Sequence, residues 1–275
     1  MKIIKSKEEI VHYIQSLKES NKKISFIPTM GNLHDGHLSL IKSSENYNSI
    51  KIISIFINPL QFNNKEDFKN YPITIEKDIE ILKKNNIDCL FMPDKDDILP
   101  KSLENIKLPW GFNNLLCGKY RPGHFEGVCA IVKELIDTIT PDYIFFGEKD
   151  YQQLLLIKYI YQEFYQDINN FLIIPCPTIR DINGLALSSR NNLLTSEQKI
   201  LASRKISNIK EKIINSKTSL NFNEFSIEYI EEWDLSDLHH HHGLINIEKQ
   251  FNHKKRMFLA VYASQVRLID NFEIQ

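Results

Sequence analysis

"PTMGNLHDGH", residues 28–37, begins where the apolar run Ile24-Ser25-Phe26-Ile27 ends, and it leads into a helical pattern over residues 36–44. A buried strand that turns through proline and glycine into a helix leaves N–H groups unpaired at the helix start, under the positive end of the helix dipole. Such a turn receives anions. Gly31 and Gly36 let phosphate oxygens approach the backbone closely. His34 and His37, three residues apart, point toward one side of the helix mouth, where imidazoles can donate to charge developing on a transferring phosphoryl group. Two rival readings are a tight turn with histidines exposed by accident and a zinc site. H-x-G-H behind a buried strand argues against the first, and the second lacks a third ligand at metal spacing nearby.

Outward from this turn, short β-branched or aromatic runs at residues 24–26, 51–57, 89–92, 143–146 and 171–174 alternate with helical patterns, among them 127–139 and 151–164. That alternation predicts an α/β fold: a parallel sheet with helices on both faces, whose ligands gather at the carboxyl ends of the strands. After Arg190 the character changes. Residues 195–214 form a lysine-rich helical stretch, 216–223 a polar turn-prone segment, and strand-like runs return at 225–229, 257–262 and 266–269. The expected division is a larger domain over 1–184 and a smaller C-terminal α/β domain over 185–275, with the boundary inside residues 180–191. No internal repeat is visible.

At 275 residues the chain is long enough for a sizeable core, and its 34 basic residues nearly cancel 35 acidic ones. No field is left to hold a polyanion without sequence preference, so nucleic acid is not an expected partner. Cys89, Cys117, Cys129 and Cys176 are far apart, without a C-x-x-C pair, and sit among apolar neighbours as reduced core residues would. The first twenty residues interleave charge with apolar positions, the pattern of an amphipathic helix and not of a signal peptide. With no long apolar run either, the expectation is a cytoplasmic protein without a membrane partner.

Four more stretches carry chemistry. Asn58-Pro59-Leu60-Gln61-Phe62 puts two amides at the end of the second strand, where they orient hydroxyls and carboxylates or merely cap a turn. Gly147-Glu148-Lys149-Asp150 repeats the strand-to-helix geometry of the first motif, with Lys149 as a point charge for phosphate. Asp150 either caps the helix, the favoured reading, or holds a metal that accompanies a nucleotide. Gln153, one turn on, faces the same crevice as Gln61. Leu187-Ser188-Ser189-Arg190-Asn191 supplies two hydroxyls and a guanidinium for the far side of a triphosphate. Lys119-Tyr120-Arg121-Pro122-Gly123-His124-Phe125 is either a loop that closes over anions or a structural hairpin.

Together PTMGNLHDGH, FINPLQF, GKYRPGHFEGV, FGEKDYQQLLLIK and LALSSRNNLL resemble, in identity and order, the pantothenate synthetase (pantoate:β-alanine ligase) family. The resemblance spans residues 27–194 and returns weakly at Val266-Arg267-Leu268-Ile269-Asp270-Asn271. It implies a Rossmann-like domain of the nucleotidyltransferase superfamily and ATP-dependent condensation of pantoate with β-alanine. Pantoyl adenylate is the implied intermediate, and AMP and pyrophosphate are released. By similarity, Met30, Gly31, Asn32, Leu33, His34, Asp35, Gly36 and His37 form the first ATP-binding segment, with His37 the family's proton donor and His34 its companion. Gly147, Glu148, Lys149 and Asp150 line the ribose and phosphates, Ile179 offers backbone to the adenine, and Leu187, Ser188, Ser189 and Arg190 close on the triphosphate. Gln61 and Gln153 grip pantoate. His37, His34, Lys149 and Arg190 are the implied catalytic set.

Magnesium is implied as well, with its ligands unknown; Asp78 and Asp150 are the candidates. The family habit is a homodimer. The sequence departs from the family after Leu194, and the run His239–His242 has no counterpart in it; four consecutive histidines point to different sides, so a solvated loop is expected there and not a metal site.

Overall fold

Six short strands lie side by side because each is apolar on both faces: β1 (Lys2–Ile4), β2 (Lys23–Thr29), β3 (Ser49–Ile55), β4 (Cys89–Phe91), β5 (Tyr143–Gly147) and β6 (Leu172–Cys176). In the computed structural model, which describes residues 1–100, 102–103, 106–108, 111–168, 170–214, 226–234 and 255–274, all of them pair in parallel in the order β1-β4-β3-β2-β5-β6. Alternate residues face opposite sides, as strand geometry requires. Ile24, Phe26, Ile52, Cys89, Phe91, Ile144 and Phe146 join one core, while Ile27, Ile53, Ile55, Leu90 and Phe145 join the other.

The first core is covered by α1 (Lys7–Glu19), α7 (His124–Ile139) and α8 (Tyr151–Phe164), through Ile10, Ile14, Val128, Ile136, Leu155 and Ile157 among others. The second is covered by α2 (Asp35–Ser44) and α4 (Ile75–Lys84), through Leu40, Ile41 and Leu82. Each side chain fully removed from water here contributes about 1.5–3 kcal/mol. Short helices α3 (Lys65–Lys69), α5 (Lys95–Ile98) and α6 (Leu116–Tyr120) fill the connections.

From β2 the chain moves outward through β3 to β4, then returns to lay β5 on the other side of β2. The direction of winding therefore reverses between β2 and β5, and a crevice opens at the carboxyl ends of those two strands, where α/β sheets bind ligands. Both the 28–37 turn and the 147–150 turn leave the sheet at this point.

The C-terminal unit is built differently. Helix α9 (Ser196–Ile214) packs Ala202, Ile206 and Ile209 on Met257, Leu259, Val261, Leu268 and Phe272 of an antiparallel sheet formed by β7 (Ser226–Asp234), β8 (Lys255–Ala263) and β9 (Val266–Ile274). The opposite face of that sheet places Tyr229, Phe258 and Ala260 in the first core of the large sheet.

Most expected elements lie within a few residues of the observed ones, and three readings need correction. The opening residues are not helical throughout: Lys2–Ile4 forms an edge strand, and Ser6 then caps α1 by accepting from the Glu9 amide at 3.1 Å. Residues 119–125 form no hairpin: α6 ends at Tyr120, and residues 121–123 are a short loop before α7 starts at His124. Asp150 stands at the start of α8 but makes no side-chain capping bond. The expected turn at 216–223 and the run His239–His242 lie outside the described residues.

Candidate active site

The 28–37 turn is fixed from below by one carboxylate. Asp78 of α4, fully buried, accepts the backbone N–H groups of Asn32 at 2.9 Å and Leu33 at 2.8 Å, and the Thr74 hydroxyl at 3.1 Å. Gly31 and Asn32 take positive φ angles of 78° and 50°, and a Cβ on Gly31 would lie 3.1 Å from the Asp78 oxygen. The chain can thus reverse tightly over the carboxylate only with glycine at the first of these positions.

His34 and His37 answer each other across the first turn of α2. The His34 Nδ1 accepts from the Gly36 amide at 3.1 Å, and the His37 Nδ1 accepts from the His34 amide at 3.3 Å, a reciprocal cap with imidazoles in place of the usual hydroxyl and carboxylate. The rings lie 4.1 Å apart. With Nδ1 the acceptor on both rings, the proton sits on Nε2 of each, leaving two donors. Burial, reinforced by Lys149, lowers His34 to about 4; burial, with His34 and Lys149 adding to it, lowers His37 to about 3. Both rings are neutral near pH 7. His37 therefore presents an Nε2–H donor without a net charge of its own in the free site.

A crevice of about 240 Å³ collects the sequence-predicted residues. Met30, His34, Gly36, His37, Gln61, Gly147, Lys149, Asp150, Gln153, Ile179, Leu187, Ser188, Ser189 and Arg190 all line it. Gly31, Asn32, Leu33, Asp35 and Glu148 do not. Leu33 is buried in the second core, so its side chain cannot meet a nucleotide. Asn32 instead locks two walls together: its amide donates to the Ser189 carbonyl at 3.1 Å and its carbonyl side-chain oxygen accepts from Asn192 at 3.1 Å.

Gln61 is held on every side. Its side-chain oxygen accepts from Asn58 at 3.1 Å, and its backbone oxygen accepts from His124 Nδ1 at 2.8 Å and Arg121 at 3.1 Å. Gly127 lets α7 press against this turn, since a Cβ there would come within 2.4 Å of the Leu60 carbonyl. Arg190 makes a two-pronged pair with Asp67 of α3, at 3.1 and 2.8 Å, and stands 5.8 Å from the Tyr71 ring centre. Lys149 approaches Asp150 at 3.4 Å. Lysine and two arginines, 149, 121 and 190, thus share a crevice with the two neutral imidazoles, an arrangement that favours polyanions.

Sequence reading missed the apolar wall. Val128, Ile131, Val132 and Leu135 of α7 line the crevice, yet their helical spacing looks the same whether a face meets protein core or ligand. Tyr71 and Thr178 line it too, on segments with no motif spacing to mark them. Arg121 and His124 were visible as a candidate pair; both line the crevice and both also support the Gln61 turn.

The sequence profile described as Pantoate-beta-alanine ligase matches residues 2–273. This chain belongs to the pantoate-beta-alanine ligase family. Among its relatives, the pantothenate synthetase of Buchnera aphidicola subsp. Acyrthosiphon pisum (strain Tuc7) is 44% identical over 296 residues, covering 100% of this chain and 99% of that protein. The one from Thermotoga petrophila is 34% identical, covering 98% and 99%. A crystal structure of the ligase from Francisella tularensis, complexed with beta-gamma ATP and beta-alanine, superposes with a TM-score of 0.82 at 38% identity, covering 99% of this chain and 97% of that one. The family's fold and the placement of the crevice between β2 and β5 agree with the expectation read from the motifs.

Proposed function

We propose that the crevice joins pantoate to β-alanine at the expense of ATP, by way of pantoyl adenylate. The observation that carries this reading is the convergence of three turns and the 187–190 segment on one cavity, lined by cations, neutral imidazole donors, two glutamine amides and an apolar wall. A nucleotide triphosphate suits the cations and imidazole donors, and a small hydroxy acid with two methyl groups suits the amides and the apolar wall.

In the first step a pantoate carboxylate oxygen forms a bond to the α-phosphorus while the bond to pyrophosphate breaks. Charge moves onto the phosphate oxygens, and the Nε2–H groups of His34 and His37, with Lys149 and Arg190, are the donors aimed at it. No covalent enzyme intermediate is needed, so positioning and electrostatics supply the catalysis. In the second step the β-alanine amine, as the free base, attacks the acyl carbon; the C–O bond to AMP breaks and the amine loses a proton. Gln61 and Gln153 hold pantoate through hydrogen bonds without adding charge, and the α7 wall takes its methyl carbon atoms. Ile179 lies along the adenine side and Leu187 to Arg190 along the phosphates.

Magnesium belongs to this proposal as an ion that arrives with the nucleotide and offsets the charge of its phosphates. Asp78 does not fit as a ligand, because both of its oxygens are taken by backbone N–H groups and the Thr74 hydroxyl. Asp150, half-exposed at the crevice, fits as a single carboxylate contact, and among the described residues no three His, Cys, Asp or Glu side chains gather as a metal site. A homodimer, a cytoplasmic location and closure of the 185–275 unit over ATP complete the proposal; their support is the family resemblance. Among the described residues, no helix is long and apolar enough to cross a membrane.

Incubation with pantoate, β-alanine, ATP and magnesium is expected to release AMP and pyrophosphate in equal amounts with pantothenate. Release of ADP and phosphate would exclude an adenylate and overturn the reading.

A further inference from the structure

The C-terminal sheet reaches the phosphate end of the crevice through a single amide. Asn271 of β9, buried, donates from one side-chain nitrogen to two successive backbone carbonyls, Glu148 at 2.9 Å and Lys149 at 2.8 Å. Its own side-chain oxygen accepts from Arg256, which lies 4.0 Å over the Tyr151 ring at the start of α8. The neighbouring Asp270 forms a two-pronged ion pair with Arg180, at 2.6 and 2.8 Å, on the segment that runs on to Ser188 and Arg190. One strand therefore holds both segments, 148–149 through their backbone carbonyls and Arg180 through its guanidinium.

We propose that Asn271 is a positioning residue for Lys149. The inference rests on the assignment of Lys149 to the phosphates. Lys149 sits on a short 310 turn, Glu148–Asp150, between β5 and α8. Such a turn can rotate about its own axis and swing a long side chain by several ångströms. Two carbonyls pinned by a buried amide, itself pinned by a stacked arginine, remove that freedom. The lysine then meets the nucleotide with little left to order, which is where a rate advantage arises: misplacement of a charged group by about 1 Å costs on the order of a hundredfold. Asn271 touches neither nucleotide nor pantoate in this account and acts only through the turn.

The test is a double-substitution cycle read as pantoate-dependent exchange of pyrophosphate into ATP, which isolates the first half-reaction. Asn271→Asp keeps the size of the side chain and the Arg256 partner while removing both donated hydrogen bonds. It is expected to lower kcat/KM for ATP roughly tenfold or more, leaving the KM for pantoate within about twofold of the parent. In a Lys149→Ala background the same change is expected to add almost nothing, because residues that act as a unit are not additive. A merely structural role for Asn271 would lower exchange by the same factor in both backgrounds, and that result overturns the inference. Unchanged exchange in Asn271→Asp alone also overturns it. Should Asn271→Asp not fold, Asn271→Ser, which keeps one donor, carries the same cycle. Undiminished exchange in Lys149→Ala itself would instead remove the phosphate assignment of Lys149, and this inference with it.

Discussion

Replacing His37 by alanine is expected to slow pantoyl-adenylate formation by roughly a hundredfold or more, the scale of losing one preorganised donor to transition-state charge. The loss belongs in kcat of the pyrophosphate exchange, since the donor matters most as charge builds on the phosphate. Fold and ATP binding should survive, because the ring contributes to the helix only one cap to the His34 amide, a bond worth about 1 kcal/mol. A second consequence follows from burial. Each ring titrates in the folded protein below the ordinary histidine value of 6.5, His34 near 4 and His37 near 3. Between about pH 6.5 and 4 the unfolded chain takes up protons that the folded chain refuses, so stability falls on acidification across that window. His37→Ala removes its share of this slope, which denaturant melts at pH 7 and pH 4.5 would measure. Near-normal exchange by the variant would place His37 outside the reaction.

Asp78→Ala is expected to act through stability first. The change leaves the Asn32 and Leu33 N–H groups and the Thr74 hydroxyl without their acceptor in a fully buried place. Each orphaned donor costs about 1–3 kcal/mol, and a sum of about 4 kcal/mol lowers the melting temperature of a chain this size by roughly 10 °C. Activity should fall with it, since the turn that carries both histidines loses its floor. Extra magnesium should restore neither. An Asp78→Ala protein of unchanged melting temperature whose activity returns at high magnesium would make Asp78 a metal ligand and refute the anchoring role.

The two readings that succeeded in sequence did so because local chemistry decided them. A buried strand followed by P-T-M-G and a helix start has few other structures open to it, and the same holds for G-E-K-D before α8. Readings that failed depended on distant partners. Asp78 stands on the buried side of an ordinary amphipathic helix, and nothing near it in the chain announces that it accepts amides from residues 32 and 33. Asp150 had the position of a cap, yet its carboxylate lies toward Lys149. Asn271 was visible only as part of a weak tail motif, because its two carbonyl partners lie more than 120 residues upstream. The apolar wall of α7 was legible only as a helical pattern, and a helical face carries no mark of whether protein or ligand will cover it.

In the proposed reaction a pantoate carboxylate oxygen bonds to the α-phosphorus of ATP in the crevice between β2 and β5. Pantoate labelled with heavy oxygen in both carboxylate positions tests this directly, by mass spectrometry of the products after one turnover with ATP and β-alanine. One labelled oxygen is expected in the phosphate of AMP and the other in the amide of pantothenate. AMP free of label would show that the carboxylate never reached the phosphorus.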